Sequence, residues 1–156
     1  SPLLGGKTYH SRLLELSYSS DPSKRLFLTT SHNFGKFYNG RKYSFENNFF
    51  LRFEPNLIAS LKFNYDIISL SHLNKNSKLW LIGPKFDFSF SKKLFLATLV
   101  QFNSQSENLG VNARLQWRFS GLSNLFLVYN DNYLVRENEP LSHRVRSLNL
   151  KISYWF

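Results

Sequence analysis

The chain has 156 residues, 42% of them apolar, with 16 Phe, 8 Tyr and a formal net charge of +10. It contains no cysteine, which excludes a disulfide framework and a thiolate metal site. No run of about 18 apolar residues occurs, which excludes a transmembrane helix and leaves a β-barrel as the one way such a chain crosses a bilayer.

The length fits one domain over 1–156 or a piece of a larger one, with no second domain visible. A start at Ser1-Pro2, with no methionine and no basic region ahead of an apolar stretch, reads as a processed chain or a fragment. The basic residues do not cluster, and no nucleic-acid-binding motif accompanies them, so no nucleic-acid partner is expected.

Turn signals separate alternating segments along the whole chain, and no segment reads as a helix. The spacing predicts strands over roughly 7–19, 25–38, 41–54, 57–70, 77–91, 94–105, 108–119, 123–134 and 143–156. They are long for a soluble domain, whose strands cluster near 5–6 residues, and suit tilted bilayer-crossing strands of about 9–11. The first two alternate poorly, and 94–105 is apolar on both faces near Leu94 to Val100.

From 41–54 onward most strands have one oily and one wet face. Tyr43, Phe45, Phe49, Leu51 and Phe53 oppose Ser44, Glu46, Asn48 and Arg52. Leu57, Ala59, Leu61, Phe63, Tyr65 and Ile67 oppose Ser60, Lys62, Asn64 and Asp66. Trp80, Ile82, Pro84, Phe86, Phe88 and Phe90 oppose Lys85, Asp87 and Ser89. Leu109, Val111, Ala113, Leu115, Trp117 and Phe119 oppose Gly110, Asn112, Arg114, Gln116 and Arg118.

The connections vary in length. Pro55-Asn56, Ser91-Lys92-Lys93 and Ser120-Gly121-Leu122 are tight, whereas His72 to Asn76 and residues 135–142 are longer. Short periplasmic turns alternating with longer external loops are a habit of outer-membrane barrels. Asn39-Gly40 departs from it by reading as a two-residue hairpin on the external side.

The last strand carries Leu148, Leu150, Ile152, Tyr154 and Phe156 on one face and Asn149, Lys151 and Ser153 on the other. Leu150, Ile152, Tyr154 and the terminal Phe156 resemble the C-terminal signal that the barrel-assembly machinery reads. That resemblance implies a bacterial outer membrane of Gram-negative type as the location, with lipid and lipopolysaccharide as surroundings.

A second resemblance is broader. It rests on Leu79-Trp80-Leu81-Ile82-Gly83-Pro84-Lys85-Phe86-Asp87, on Lys92-Lys93-Leu94-Phe95, on 101–119, on Leu125-Phe126-Leu127-Val128-Tyr129-Asn130-Asp131-Asn132-Tyr133 and on Tyr154-Trp155-Phe156. These stretches resemble the C-terminal barrel of a Bacteroidota family whose members carry an N-terminal domain similar to carbohydrate-binding family 9. The resemblance covers roughly residues 33–156 and implies that the chain is the last part of such a barrel. It supplies no catalytic residue.

The expected fold is therefore all-β: an antiparallel up-and-down transmembrane barrel, or its C-terminal portion, with about nine strands. Bacterial single-chain barrels have an even strand count, so nine suits part of a larger barrel or a subunit of a larger outer-membrane assembly. The lumen-facing polar candidates are Glu46, Arg52, Lys62, Asp66, Lys85, Asp87, Asn112, Arg114, Gln116, Arg118 and Lys151. Together they predict either an anion-attracting channel or a web of cross-strand ion pairs, the web being favoured. Arg144 and Arg146, on the parity of Leu148 at the loop end, are candidates for lipopolysaccharide phosphate.

His10, His32, His72 and His143 lack metal-ligand spacing, and no cofactor motif is present. The expected role is structural, transport-related or surface-binding rather than enzymatic, and the resemblance to the Bacteroidota family implies the barrel as anchor for a glycan-handling protein. A Ser/His/Asn hydrolase at the membrane surface is the minor enzymatic alternative. The main rival is a soluble up-and-down barrel with the faces reversed and an apolar ligand inside, because alternation alone does not distinguish inside from outside.

Overall fold

The computed structural model describes residues 12–37, 40–70 and 75–155. The expected strands 25–38 to 143–156 all form, with ends shifted by a few residues. They are β2 (Leu26–Phe37), β3 (Gly40–Phe53), β4 (Leu57–Leu70), β5 (Lys75–Ser89), β6 (Leu94–Asn103), β7 (Asn108–Ser120), β8 (Ser123–Leu134) and β9 (Ser142–Ser153), preceded by β1 (Leu13–Ser19). Residues 7–11 of the expected first strand, Asn39 of the expected hairpin turn, His10, His72 and Phe156 lie outside the described residues.

The strands form one nine-stranded sheet in simple chain order, every neighbour antiparallel. This corresponds to an all-β, up-and-down, barrel-like fold whose wall is not closed: β1 and β9 are its two edges.

Short-range chemistry sets the turns. Asp21 Oδ1 accepts from the Ser23 amide at 2.8 Å, a local bond that Asp offers readily between strands. Hydrogen bonds from the Ser23 hydroxyl and amide hold the Asp21 carboxyl below its ordinary value of 3.8. A depressed carboxyl stabilises the fold above the unfolded value and loses that contribution as pH falls through the folded one. Ser23→Ala should therefore move the Asp21 midpoint back up toward 3.8, as followed by carboxyl chemical shift. Ser91 Oγ accepts from the Lys93 and Leu94 amides, both at 3.1 Å. Gly121 turns β7 into β8 at φ 27°, a left-handed value that glycine adopts without Cβ strain.

Registers place the alternating residues on two continuous faces. On the first, Phe49, Leu61 and Pro84 lie in line across β3, β4 and β5. Val100 faces Val111, and Leu115, Leu127 and Leu150 run across β7, β8 and β9. On the other face, Glu46 faces Asn64, Asn48 faces Lys62, and Ser60 faces Lys85. β1 and β2 join this scheme despite their weak alternation, with Glu15 facing Asn33 and Ser17 facing Ser31 on the polar side. Pro84 sits inside β5, and pairing with β6 skips Gly83 and Pro84 while keeping register on either side. A proline has no N–H to give a ladder, so the gap falls where that donor is missing.

Among the described residues no apolar side chain is buried; Ser44, Ser123 and Asp131 are. Among these residues the sheet has no hydrophobic core of its own, and on its apolar face Phe49, Phe63, Trp80, Trp117 and Leu148 stay exposed.

Gly35 marks a close approach. A Cβ there would come within 2.0 Å of the Arg12 carbonyl oxygen, the acceptor of the 2.9 Å bond from the Lys36 amide. Gly35→Ala should therefore part the start of β1 from β2, at the roughly 1–3 kcal/mol typical of overpacking. A lowered urea midpoint together with faster amide exchange at Lys36 is the expected result.

Candidate functional site

The polar face gathers all eleven lumen-facing candidates in consistent rows. Glu46 and Arg52 lie on β3, Lys62 and Asp66 on β4, Lys85 and Asp87 on β5. Asn112, Arg114, Gln116 and Arg118 follow on β7 and Lys151 on β9.

The charges are sparsely paired. Lys85 Nζ reaches Asp87 Oδ2 at 2.7 Å within one strand. Lys42 lies 3.9 Å from Asp66, and Arg52 lies 4.0 Å from Glu54. Arg52 also donates to the Pro22 carbonyl at 2.8 Å and packs its guanidinium 4.9 Å from the Phe27 ring centroid. Glu46, Lys62, Arg114, Arg118 and Lys151 make no ion pair among the described residues.

The register explains this. Lys62 faces Asn48 and Gly83, Arg114 faces Ala97 and Val128, and Lys151 faces Phe126. No carboxylate stands opposite any of the three, so the cross-strand web expected from the sequence is confined to a few pairs. A face with more free cations than free anions attracts negative solutes at long range.

A cluster the sequence reading did not single out lies on the other face. Asp131 of β8, 2% exposed, shares a side with Leu125, Leu127, Tyr129 and Tyr133 and stands opposite Arg146 of β9. Its Oδ2 accepts from the Tyr129 and Tyr133 hydroxyls at 2.7 Å each. The same oxygen accepts from Arg146 Nε at 2.9 Å and Nη2 at 2.7 Å. Its Oδ1 lies 2.9 Å from His143 Nε2. A carboxylate enclosed among rings is tolerable only when its oxygens are fully bonded, as here.

This cluster changes the reading of the two candidate lipopolysaccharide arginines. Arg146 is engaged by Asp131 and so is not a free cation. The β8–β9 register slips between Asn132 and Tyr133, so that Val145 faces Asn132 while His143 faces Tyr133. Arg144 is the extra residue of that bulge, and its parity with Leu148 does not carry past Val145. Two opposite charges on the apolar parity of adjacent strands, amid tyrosines, were the signal available in the sequence.

A second polar group interrupts the apolar face at mid-strand. Thr30 Oγ1 donates to Asn47 Oδ1 at 2.7 Å and lies 2.7 Å from His32 Nε2. The His32 ring sits edge-on to Phe45 at 5.1 Å. Among the described residues no group of three or more His, Asp or Glu could hold a metal ion.

Of the residues that resemble an assembly signal, Leu150 and Ile152 lie on the apolar face of β9, and Tyr154 follows just beyond the strand. Tyr154 stacks on Phe119 at 6.5 Å, and Ser123 Oγ accepts from the Trp155 amide at 3.1 Å. No protein-family model matches the chain, and no curated protein matches it.

Proposed function

We propose that this chain forms wall of an outer-membrane β-barrel, with its apolar face in lipid and its polar face lining a lumen. The observation that carries the reading is a nine-stranded sheet with one continuous, mainly apolar face and, among the described residues, no buried apolar core. Aromatic residues also gather at both ends of that face. Phe34 and Tyr43, and Trp80 and Phe102, pack at one end, at 5.8 and 4.7 Å between centroids. Phe88 and Phe90, and Trp117 and Phe119, pack at the other, at 5.9 and 5.7 Å. Aromatic side chains gathered at the two ends of an apolar face are what the two interfaces of a bilayer select.

A soluble barrel with reversed faces would bury these side chains as a core. The openness of Leu148 (65% exposed) and Leu150 (61%) on the edge strand favours lipid, or a further strand, as what covers them. In this reading the surroundings are lipid and lipopolysaccharide, the barrel-assembly machinery inserts the chain, and further strands or subunits complete the wall. The role is structural, transport-related or surface-binding, and it is not enzymatic. The likeness to the Bacteroidota barrel adds an anchoring role for a glycan-handling protein.

The test is fractionation of a Gram-negative host expressing the chain with and without Phe156. The expected result is a detergent-extracted, heat-modifiable species that the deletion abolishes. Both forms soluble and monomeric without detergent would overturn the reading.

A further inference from the structure

On the polar face, where β6, β7 and β8 meet the turn at 104–107, the side chains form a hollow of about 250 Å³. It is lined by Gln101, Asn103, Asn108, Asn112, Asn130 and Asn132, with Leu99 and Ser106 beside them, and by no charged side chain. Its floor is open because position 110 is glycine. Gly110 stands between Gln101 on β6 and Asn132 on β8, and a Cβ there would meet Asn132 Oδ1 at 3.2 Å.

Part of each asparagine amide is used to fix its neighbours, whereas Gln101 is unengaged. Asn112 Nδ2 donates to Asn130 Oδ1, whose own Nδ2 donates to Ser147 Oγ at 3.2 Å. Asn108 Nδ2 donates to Asn132 Oδ1 at 3.2 Å. Asn103 Oδ1 accepts from the Gln105 amide at 2.9 Å. The opposite ends of these amides, namely Asn112 Oδ1, Asn108 Oδ1, Asn132 Nδ2 and Asn103 Nδ2, have no partner among the described residues, and neither end of Gln101 has one. The hollow is thus an array of held, unspent donors and acceptors of both kinds.

We propose that this hollow binds a neutral saccharide. A cation would use only the acceptors, an anion only the donors, and an apolar ligand would strand both. A hydroxyl donates and accepts at once, so a polyhydroxylated ring can satisfy a mixed array, with Leu99 as an apolar surface for its C–H face. The inference rests on the proposed reading to the extent that this face is the wet one.

The full chain in detergent micelles, with its side-chain amides followed by NMR, is titrated with maltohexaose, cellohexaose and xylohexaose, and with hexagalacturonate as an acidic counterpart. The expected result is a saturable shift of the Gln101 and Asn112 side-chain amides with at least one neutral hexaose. Gln101→Ala breaks no intramolecular bond and should weaken that binding about tenfold. Gly110→Val should abolish it by filling the floor, and Asn48→Ala, elsewhere on the face, should leave it unchanged. No shift with any neutral hexaose at ~10 mM, or tighter binding of hexagalacturonate, overturns the proposal. Heat-modifiable mobility of the same sample reports on the barrel separately, so failure of one is not mistaken for failure of the other.

Discussion

Asp131→Ala should free the loop end of β9 from β8. The substitution strips Arg146 of its carboxylate and leaves the Tyr129 and Tyr133 hydroxyls and His143 without their shared acceptor. The guanidinium then stands unpaired in a row of Leu148 and Leu150. Amide exchange along Leu148–Leu150 should quicken by on the order of tenfold or more, since bonds to charged groups are the costly ones to lose. Asp131→Asn keeps the acceptor but not the charge and should fall between the two.

The double change Asp131→Leu with Arg146→Leu removes both charges at once. It should recover much of the loss, because a pair replaced by apolar groups leaves no orphan, whereas one deleted partner does. A single variant that exchanges like the native chain would rule out the cluster as the clasp between these strands.

A second large effect separates the two faces. Phe63 and Asn64 are neighbours on β4 with opposite orientations: Phe63 aligns with Asn47 and Ile82, Asn64 with Glu46 and Leu81. Phe63→Lys places a cation in mid-strand on the apolar face. In a bilayer this should cost about 2–4 kcal/mol, read as a fall in the folding midpoint in lipid vesicles. Asn64→Lys places the same cation beside Glu46 and should be near neutral. Asn64 Oδ1 is buried without a hydrogen-bond partner, so its replacement forfeits little. If the two variants lose stability equally, lipid does not cover the Phe63 face.

Much of this sheet is legible in the sequence, and the reasons are local. A period of two fixes which residues share a face, and the turn residues at Asp21, Ser91 and Gly121 fix where strands reverse. What escapes is what depends on which strand positions meet. The scarcity of ion pairs at Lys62, Arg114 and Lys151 follows from register, and register is a property of two segments rather than one. The β8–β9 bulge has the same character: one extra residue near Arg144 turns His143 to the side of Arg146, and parity counted from Leu148 misses it. The Asp131 cluster is hidden for a different reason. Its other members lie 2 to 15 residues from Asp131 in sequence, and each alone reads as an ordinary rim residue.

The simple order of the nine strands fixes a direction as well as a neighbour. Each step across an antiparallel sheet reverses the chain, so β1 and β9 run the same way. Sealing one directly on the other would create the single parallel seam of the wall, with slanted and slightly weaker bonds. A second copy turned about the barrel axis would meet the first through parallel seams at both joins. An entirely antiparallel ring needs an even total, so any strands joined to these nine to make one would have to be odd in number. The shared direction of the two edges thus acts as a counting rule on any ring that these nine strands would join.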